Sequence, residues 1–201
     1  DKLFIADVKI TPFPEKKEAR VDLTVKNKTK ELLDADVYIT FSREGKVCAE
    51  QNAYLTACPG ESPLSVLVPF CGEMKLWNCF EPSFYEAAVT VISEGERRLA
   101  DTKKLRAGLR TFEARGRHFY LNGEKISLRG THDGMTFCLT GCPAWEKEDW
   151  LKIMRTCKEY GLNHVRYHSV CPPEAAFEAA DETGVILQAE LPYWGEVSDG
   201  W

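Results

Sequence analysis

The residue types best suited to chemistry in this sequence of 201 residues are concentrated at three points in its second half. At each point, polar or charged side chains follow a stretch that we predict to be a β-strand. The three points are Thr131-His132-Asp133, Arg166-Tyr167-His168-Ser169, and Glu190 followed by Pro192, Tyr193 and Trp194. Because ligands of parallel α/β folds bind at the carboxyl ends of the strands, we expect these side chains to share one site.

The chemistry of this predicted site suits a sugar. Sugar hydroxyls need directional hydrogen-bond partners, and the apolar face of a sugar ring packs against a Trp or Tyr ring. The candidate substrate-binding residues are His132, Asp133, Arg166, His168, Glu190 and Trp194. Purely structural roles are the alternatives: a turn at Asp133, an internal ion pair at Arg166, a hydrogen-bonded structural histidine, or packing of Trp194 under a loop.

We predict neither a metal ion nor a cofactor. His164 and His168 are four residues apart on a predicted strand, where four residues span about 13 Å, too far to hold one ion. Cys138 and Cys142 lack a second pair of ligands at zinc-site spacing. The glycines that follow the first predicted strand do not form the G-x-G-x-x-G pattern of dinucleotide-binding folds.

The elements that must position these residues follow a β-α-β-α-β order. We predict strands over residues 126–130, 164–167 and 185–191, after a hairpin with its turn at Asn122-Gly123. One helix is predicted from the spacing of Trp150 to Tyr160 and ends at Gly161; a second begins at Pro172-Pro173 and runs through residue 181. Short connections in this order require parallel strands joined by right-handed crossovers.

The first half alternates apolar and polar residues with a period of two. Four such runs cover residues 21–25, 35–41, 64–70 and 85–92, and turn formers such as Glu44-Gly45, Pro59-Gly60 and Glu94-Gly95 separate the runs. Alternation of this kind is typical of antiparallel strands with one buried face. Several short strands over about 100 residues favour a β-sandwich of immunoglobulin type, without the Cys…Trp…Cys core of antibody domains.

Composition excludes several classes of protein. The chain has 26 Lys and Arg against 31 Asp and Glu, a net charge of −5, whereas nucleic-acid binding needs a basic face. The longest apolar run is far short of the roughly 20 residues that span a bilayer. No N-terminal segment reads as a signal peptide. The eight cysteines are expected to be free thiols rather than a disulfide framework.

Five motifs, in order, resemble glycoside hydrolase family 2, which contains β-galactosidases, β-glucuronidases and β-mannosidases. The first lies late in the sandwich and the second at the entry into the barrel of that family. The motifs are Leu76-Trp77-Asn78 with Glu81-Pro82-Ser83-Phe84-Tyr85, Gly108-Leu109-Arg110-Thr111-Phe112, Phe119 to Glu124 with Leu128-Arg129-Gly130, Gly161 to Arg166, and Ala180-Asp181-Glu182-Thr183-Gly184. Two loops depart from the family pattern, at His132-Asp133-Gly134 and at Tyr167-His168-Ser169, so the sugar specificity of the family is not transferred.

The resemblance implies an immunoglobulin-like β-sandwich over residues 1–107 and the first β-α-β-α-β portion of a TIM barrel over residues 108–201. It implies a retaining β-glycoside hydrolase whose acid/base and nucleophile Glu residues lie beyond residue 201. We therefore expect an inactive fragment with no catalytic residue of its own, able to self-associate through exposed barrel strands. The alternative is a non-catalytic module that binds a carbohydrate or a protein. On family grounds, a periplasmic or secreted location is favoured over the cytoplasm.

Overall fold

The computed structural model describes residues 2–93 and 98–195 of the chain. Their contacts form two compact units, one comprising Asp1–Trp77 with Ser83–Thr111 and the other Asn78–Pro82 with Phe112–Trp201. The predicted turn at Glu94-Gly95 lies outside the described residues.

In the described part of the first unit, seven strands form two antiparallel sheets. The three-stranded sheet has the order β1-β2-β5, and the four-stranded sheet has the order β4-β3-β6-β7. The strands are β1 (Leu3–Phe13), β2 (Glu18–Asn27), β3 (Leu33–Arg43), β4 (Lys46–Ala57), β5 (Gly60–Pro69), β6 (Tyr85–Ser93) and β7 (Arg98–Ala107). The two sheets bury one core, as a β-sandwich does.

The inward-facing side chains of the sandwich are those that the alternation predicted. Val21, Val37 and Ile39 are completely buried, and every second residue of β2 and β3 faces the core. Phe70 and Tyr85 meet edge to face, with ring centroids 5.3 Å apart. The predicted runs therefore lie within strands, except that Phe70 lies just after β5 and forms an isolated bridge with Ala49. The sandwich expected for this half is present.

The second unit begins with an antiparallel sheet of three short strands. They are β8 (Phe112–Arg115), β9 (His118–Leu121) and β10 (Glu124–Ile126), in the order β10-β9-β8. Asn122 and Gly123 join β9 to β10, and both have positive φ, of 53° and 83°. Asn-Gly is the pair that tolerates this conformation in two-residue hairpin turns, so the predicted hairpin is confirmed.

A parallel sheet with the order β11-β12-β13 follows. Its elements are β11 (Gly130–Asp133), α1 (Lys147–Glu159), β12 (His164–Tyr167), α2 (Glu174–Thr183) and β13 (Ile186–Gln188). The predicted order and the parallel pairing are confirmed. The first strand is a correction, because it begins at Gly130 rather than at residue 126. The side chain of Asn163 donates to the carbonyl of Ser127 and accepts from the amide of Arg129. These backbone groups are therefore not paired with a neighbouring strand.

Both helices of the described chain pack on one face of this sheet. Trp150 and Met154 of α1 join Val165 and Tyr167 of β12 in a second buried core, and α2 contributes buried alanines. Neither helix has the length and apolar character needed to cross a membrane. All eight cysteines are free thiols, two of them buried.

Candidate functional site

The strand register places three polar side chains side by side on the sheet face opposite the helices. His132 of β11 is the register partner of Arg166 of β12, which is in turn the partner of Gln188 of β13. Because side chains alternate along a strand, His168 lies on the same face as Arg166. The neighbouring residues Val165 and Tyr167 are buried on the helix side. This register is the reason that the side chains at the carboxyl ends of the strands lie close together, as the sequence predicts.

An ion pair connects the second strand of the sheet with the loop that follows the third. Arg166 Nε donates to Glu190 Oε1 at 2.6 Å, and Gln188 Nε2 donates to the same oxygen at 3.2 Å. The backbone amide of Ser169 donates to Glu190 Oε2 at 2.8 Å. These donors favour the ionised carboxylate, and the Arg166 hydrogen bond has the largest effect. The hydrogen bond from Arg166 and then that from the Ser169 amide lower the pKa of Glu190 to about 2.

His168 lies at the centre of the group. Its Nδ1 is 3.2 Å from Nη2 of Arg166, and its ring centroid is 5.4 Å from that of His132. On another side, the ring of Trp194 meets it edge to face, also at 5.4 Å between centroids. Trp194 is 79% exposed, so the greater part of its surface is open to a ligand. The structure therefore brings together His132, Arg166, His168, Glu190 and Trp194.

Asp133 takes a different position. Its register partner is the buried Tyr167, and its Oδ1 accepts a hydrogen bond from the amide of Met135 at 2.7 Å, closing the turn after β11. Burial first, and then the Asp133 carboxylate, raise the pKa of Tyr167 and of the Cys157 thiol on the helix side. Asp133 thus borders the group of five without sharing its face.

Backbone hydrogen bonds connect the chain segments at the carboxyl ends of the three strands. The amide of His168 donates to the carbonyl of Asp133 at 2.9 Å, and the amide of Glu190 donates to the carbonyl of Val170 at 3.1 Å. Ser169 has a φ of 56°, a left-handed conformation that turns the chain immediately after His168 and directs its amide to Glu190. The loops after the strands are therefore tied to each other.

Two hydrogen-bond partners of Glu190 are not among the residues that the sequence singles out as candidates, namely Gln188 and Ser169. Gln188 and Glu190 interrupt an otherwise apolar predicted strand, and this interruption is the signal that Gln188 faces the polar side. Ser169 contributes its backbone amide, which no side-chain pattern could reveal. Among the residues that the structure describes, no group of three or more His, Cys, Asp or Glu is placed to hold a metal ion.

The arrangement offers a ligand hydrogen-bond donors and an aromatic surface. Arg166, His132 and His168 supply donors, while Trp194 supplies a ring beside them. Glu190 is unsuited to donate a proton, because its low pKa keeps it ionised at neutral pH. The site can therefore bind and orient a polar ring, and Glu190 is not suited to be its general acid.

Comparison of the sequence with known proteins points to one family. The profile of glycosyl hydrolases family 2 matches residues 3–110. A β-galactosidase from Thermoanaerobacter pseudethanolicus is 30% identical over 124 residues, covering 61% of this chain and 16% of that protein. A β-glucuronidase from Bacteroides fragilis is 25% identical over 184 residues, covering 76% of this chain and 26% of that protein. The chain thus spans about a quarter or less of the length of these relatives.

Solved structures give the same fold. A glycosyl hydrolase family 2 member from Bacteroides cellulosilyticus superposes with a TM-score of 0.87 at 17% identity, covering 99% of this chain and 27% of that one. A β-galacturonidase from Eisenbergiella tayi, bound to galacturonate, superposes with a TM-score of 0.76 at 20% identity, covering 93% of this chain and 33% of that one. At these identities the similarity shows the fold alone.

Proposed function

Because the chain belongs to glycosyl hydrolases family 2, we propose that it forms the β-sandwich and the start of the catalytic barrel of a β-glycoside hydrolase. In this proposal residues 1–107 are the immunoglobulin-like domain and residues 108–201 are the first portion of a TIM barrel. The main support is the convergence of His132, Arg166 and Glu190 at the carboxyl ends of parallel strands, the edge at which barrel enzymes bind substrate.

In the proposed enzyme, the group around His168 binds the sugar that carries the bond to be broken. His132, Arg166 and His168 donate hydrogen bonds to its oxygens, and Trp194 packs against its ring. Asp133 contributes from the adjoining turn, and Glu190 forms part of the same wall. The substrate is a β-glycoside, and the bond cleaved is an O-glycosidic bond.

The reaction proposed is retaining, which needs two carboxyl groups about 5–5.5 Å apart, one as acid/base and one as nucleophile. Glu190 fits neither role. Its pKa of about 2 prevents it from acting as the acid, and hydrogen bonds from Arg166, Gln188 and Ser169 occupy the oxygens that a nucleophile would need. We therefore place both catalytic Glu residues beyond residue 201 and expect the 201-residue chain alone to be inactive.

The test compares the 201-residue chain with the longer protein on aryl β-glycosides, namely the glucuronide, galacturonide, galactoside and mannoside. The longer protein should hydrolyse at least one of them, and the chain alone should hydrolyse none. In the longer protein, Arg166→Lys should lower kcat/KM at least about tenfold, because lysine cannot reproduce the paired donors of a guanidinium. Arg155→Lys, on the exposed side of α1, is the matched control. Turnover by the isolated chain would contradict our placement of the catalytic residues.

A non-catalytic sugar-binding module is the second candidate, and one observation favours it. Tyr38 and Tyr54 are 42% and 53% exposed on the outer face of the four-stranded sheet. They lie on adjacent strands, two residues apart in register, which is within reach of one sugar chain. Titration calorimetry of the chain with the same sugars separates the two functions. Micromolar binding that is lost in Tyr38→Ala would favour the module.

A further inference from the structure

Protein donors largely fill the hydrogen-bonding capacity of the Glu190 carboxylate. A carboxylate offers about four lone-pair positions. Arg166 Nε and Gln188 Nε2 use two of them on Oε1, at 2.6 and 3.2 Å, and the Ser169 amide uses a third on Oε2, at 2.8 Å. The side chain of Glu190 is 24% exposed. Few hydrogen-bonding positions of the Glu190 carboxylate remain for a ligand, although its neighbours in the candidate site are the residues proposed to bind one.

The same ion pair determines how His168 carries its proton. An arginine side chain has only donors, so Arg166 Nη2 at 3.2 Å must be donating to His168 Nδ1. That nitrogen is then the unprotonated one, and the proton of the neutral ring is on Nε2. Glu190 Oε2 lies farther from Nδ1, at 3.5 Å, and could pair with it only if Nδ1 carried a proton. Ser169 Oγ, at 3.4 Å from Nδ1, can donate or accept and fits either arrangement. Arg166 is the nearest of the three groups and can only donate, so it decides between the two arrangements.

We propose that Glu190 is a positioning residue: its carboxylate holds the Arg166 guanidinium, which fixes His168 as the Nε2–H tautomer and so presents a hydrogen-bond donor to the bound sugar. The chain of contacts runs from Glu190 to Arg166 to His168, and the aromatic ring of Trp194 lies beside the last of these. This proposal rests on the proposed function only in naming the ligand as a sugar. The tautomer itself belongs to the folded chain and is open to measurement without turnover.

The test is ¹⁵N NMR of the histidine rings and arginine side chains in the 201-residue chain, which has four histidines. In the wild type at neutral pH, His168 should show an unprotonated Nδ1 and a protonated Nε2, and the Arg166 Nε–H should be protected from exchange. In Glu190→Gln, the negative charge that holds the Arg166 guanidinium is lost, and an NH2 group replaces one of the two oxygens that accept from Arg166 Nε and from the Ser169 amide. We expect loss of Arg166 Nε–H protection and a mixture of His168 tautomers.

Two further variants complete the experiment. Glu190→Asp keeps the carboxylate and should restore most of the single tautomer. Glu182→Gln removes a carboxylate that pairs with Lys147 at 3.2 Å elsewhere in the unit, and it should leave His168 unchanged. A protonated Nδ1 in the wild type would overturn the proposal even if Glu190→Gln failed to fold. So would a folded Glu190→Gln protein in which Arg166 and His168 kept their wild-type signals.

The two proposals fail separately. If the longer protein hydrolyses no glycoside while His168 shows the expected tautomer, the proposed function is wrong and the role of Glu190 stands. If the longer protein is an active glycosidase while His168 Nδ1 is protonated, the proposed function stands and the proposed role of Glu190 is wrong.

Discussion

One carboxylate organises the candidate site at the scale of single residues. Glu190 accepts hydrogen bonds from side chains of two strands and from the amide of Ser169, so it joins the loop after β12 to the loop after β13. These interactions require the ionised form. The network therefore responds to acid over the range in which Glu190 takes up a proton in the folded and the unfolded chain.

The contribution of the Glu190 carboxylate to stability should appear in the pH dependence of unfolding. The pKa of Glu190 is lowered from 4.5 to about 2 in the folded chain. A group whose pKa is lower in the folded state stabilises it above the unfolded pKa, and the stabilisation is lost as pH falls through the folded pKa. The difference in thermal unfolding midpoint between the wild type and Glu190→Gln should therefore be constant above about pH 5 and shrink towards pH 2.

Thermal unfolding followed by circular dichroism across this pH range checks the prediction. Glu159→Gln is the matched control, because Glu159 lies exposed at the end of α1. A midpoint difference for Glu190→Gln that stayed the same from pH 6 to about pH 2 would show that the ion pair adds no pH-dependent stability.

The sequence allowed the site to be predicted in outline, because strand direction alone brings the carboxyl ends of parallel strands together. His132, Arg166 and Glu190 follow that rule. Strand direction does not determine on which face of the sheet a residue at the end of a strand lies. Asp133 belongs to the buried face by alternation, and its carboxylate closes a turn. The contribution of Ser169 depends on a left-handed backbone conformation that no pattern of side-chain types encodes.

At the scale of elements, two glycines end the two helices in similar conformations and different surroundings. Gly161 follows α1 with a φ of 73°, and Gly184 follows α2 with a φ of 78°. A side chain added at Gly161 would meet open space. One added at Gly184 would collide with the backbone of Cys79, whose carbonyl carbon would be 2.8 Å away. Lys158 Nζ donates to the carbonyl of the same cysteine at 2.6 Å, so that backbone is held in place.

The two alanine substitutions should therefore differ in their effect on stability. Gly161→Ala forces a left-handed conformation on alanine and should cost about 1–2 kcal/mol. Gly184→Ala adds to this the cost of overpacking against a fixed backbone, for a total of about 2–5 kcal/mol. Urea unfolding followed by the helical circular dichroism signal measures both, because both described helices belong to the second unit. Equal losses for the two variants would mean that the contact with Cys79 is absent.

Where the prediction of elements failed, the periodic signal was interrupted or weak, or a tertiary contact changed the bounds of a strand. β1 contains a bulge between Ile5 and Asp7 that shifts its alternation. β4 presents alanines to the core, including Ala49 and Ala57, where a predictor looks for larger apolar residues. A further difference, the start of β11 at Gly130, follows from the side-chain hydrogen bonds of Asn163, which depend on tertiary contact.

At the scale of the whole molecule, the described part of the parallel sheet combines unpaired strand edges with exposed apolar side chains in the same unit. β11 and β13 each have one strand neighbour within the described residues, namely β12, so each presents a free edge. Large apolar side chains are exposed in the same unit, with Leu139 at 101%, Trp145 at 74% and Leu191 at 79%. Free strand edges and exposed apolar groups both favour association between copies.

We expect the 201-residue chain to associate reversibly as its concentration rises, through the second unit. The double variant Leu139→Ser with Trp145→Ser should remain monomeric to a concentration at least about tenfold higher, because it removes apolar area that association would bury. Leu67→Ser is the matched control, since Leu67 is 52% exposed on the sandwich. Sedimentation velocity over a range of concentrations measures the outcome. If Leu67→Ser weakened association as much as the double variant, the contact would belong to the sandwich, and a wild-type chain monomeric throughout would show that the exposed edges are tolerated in water.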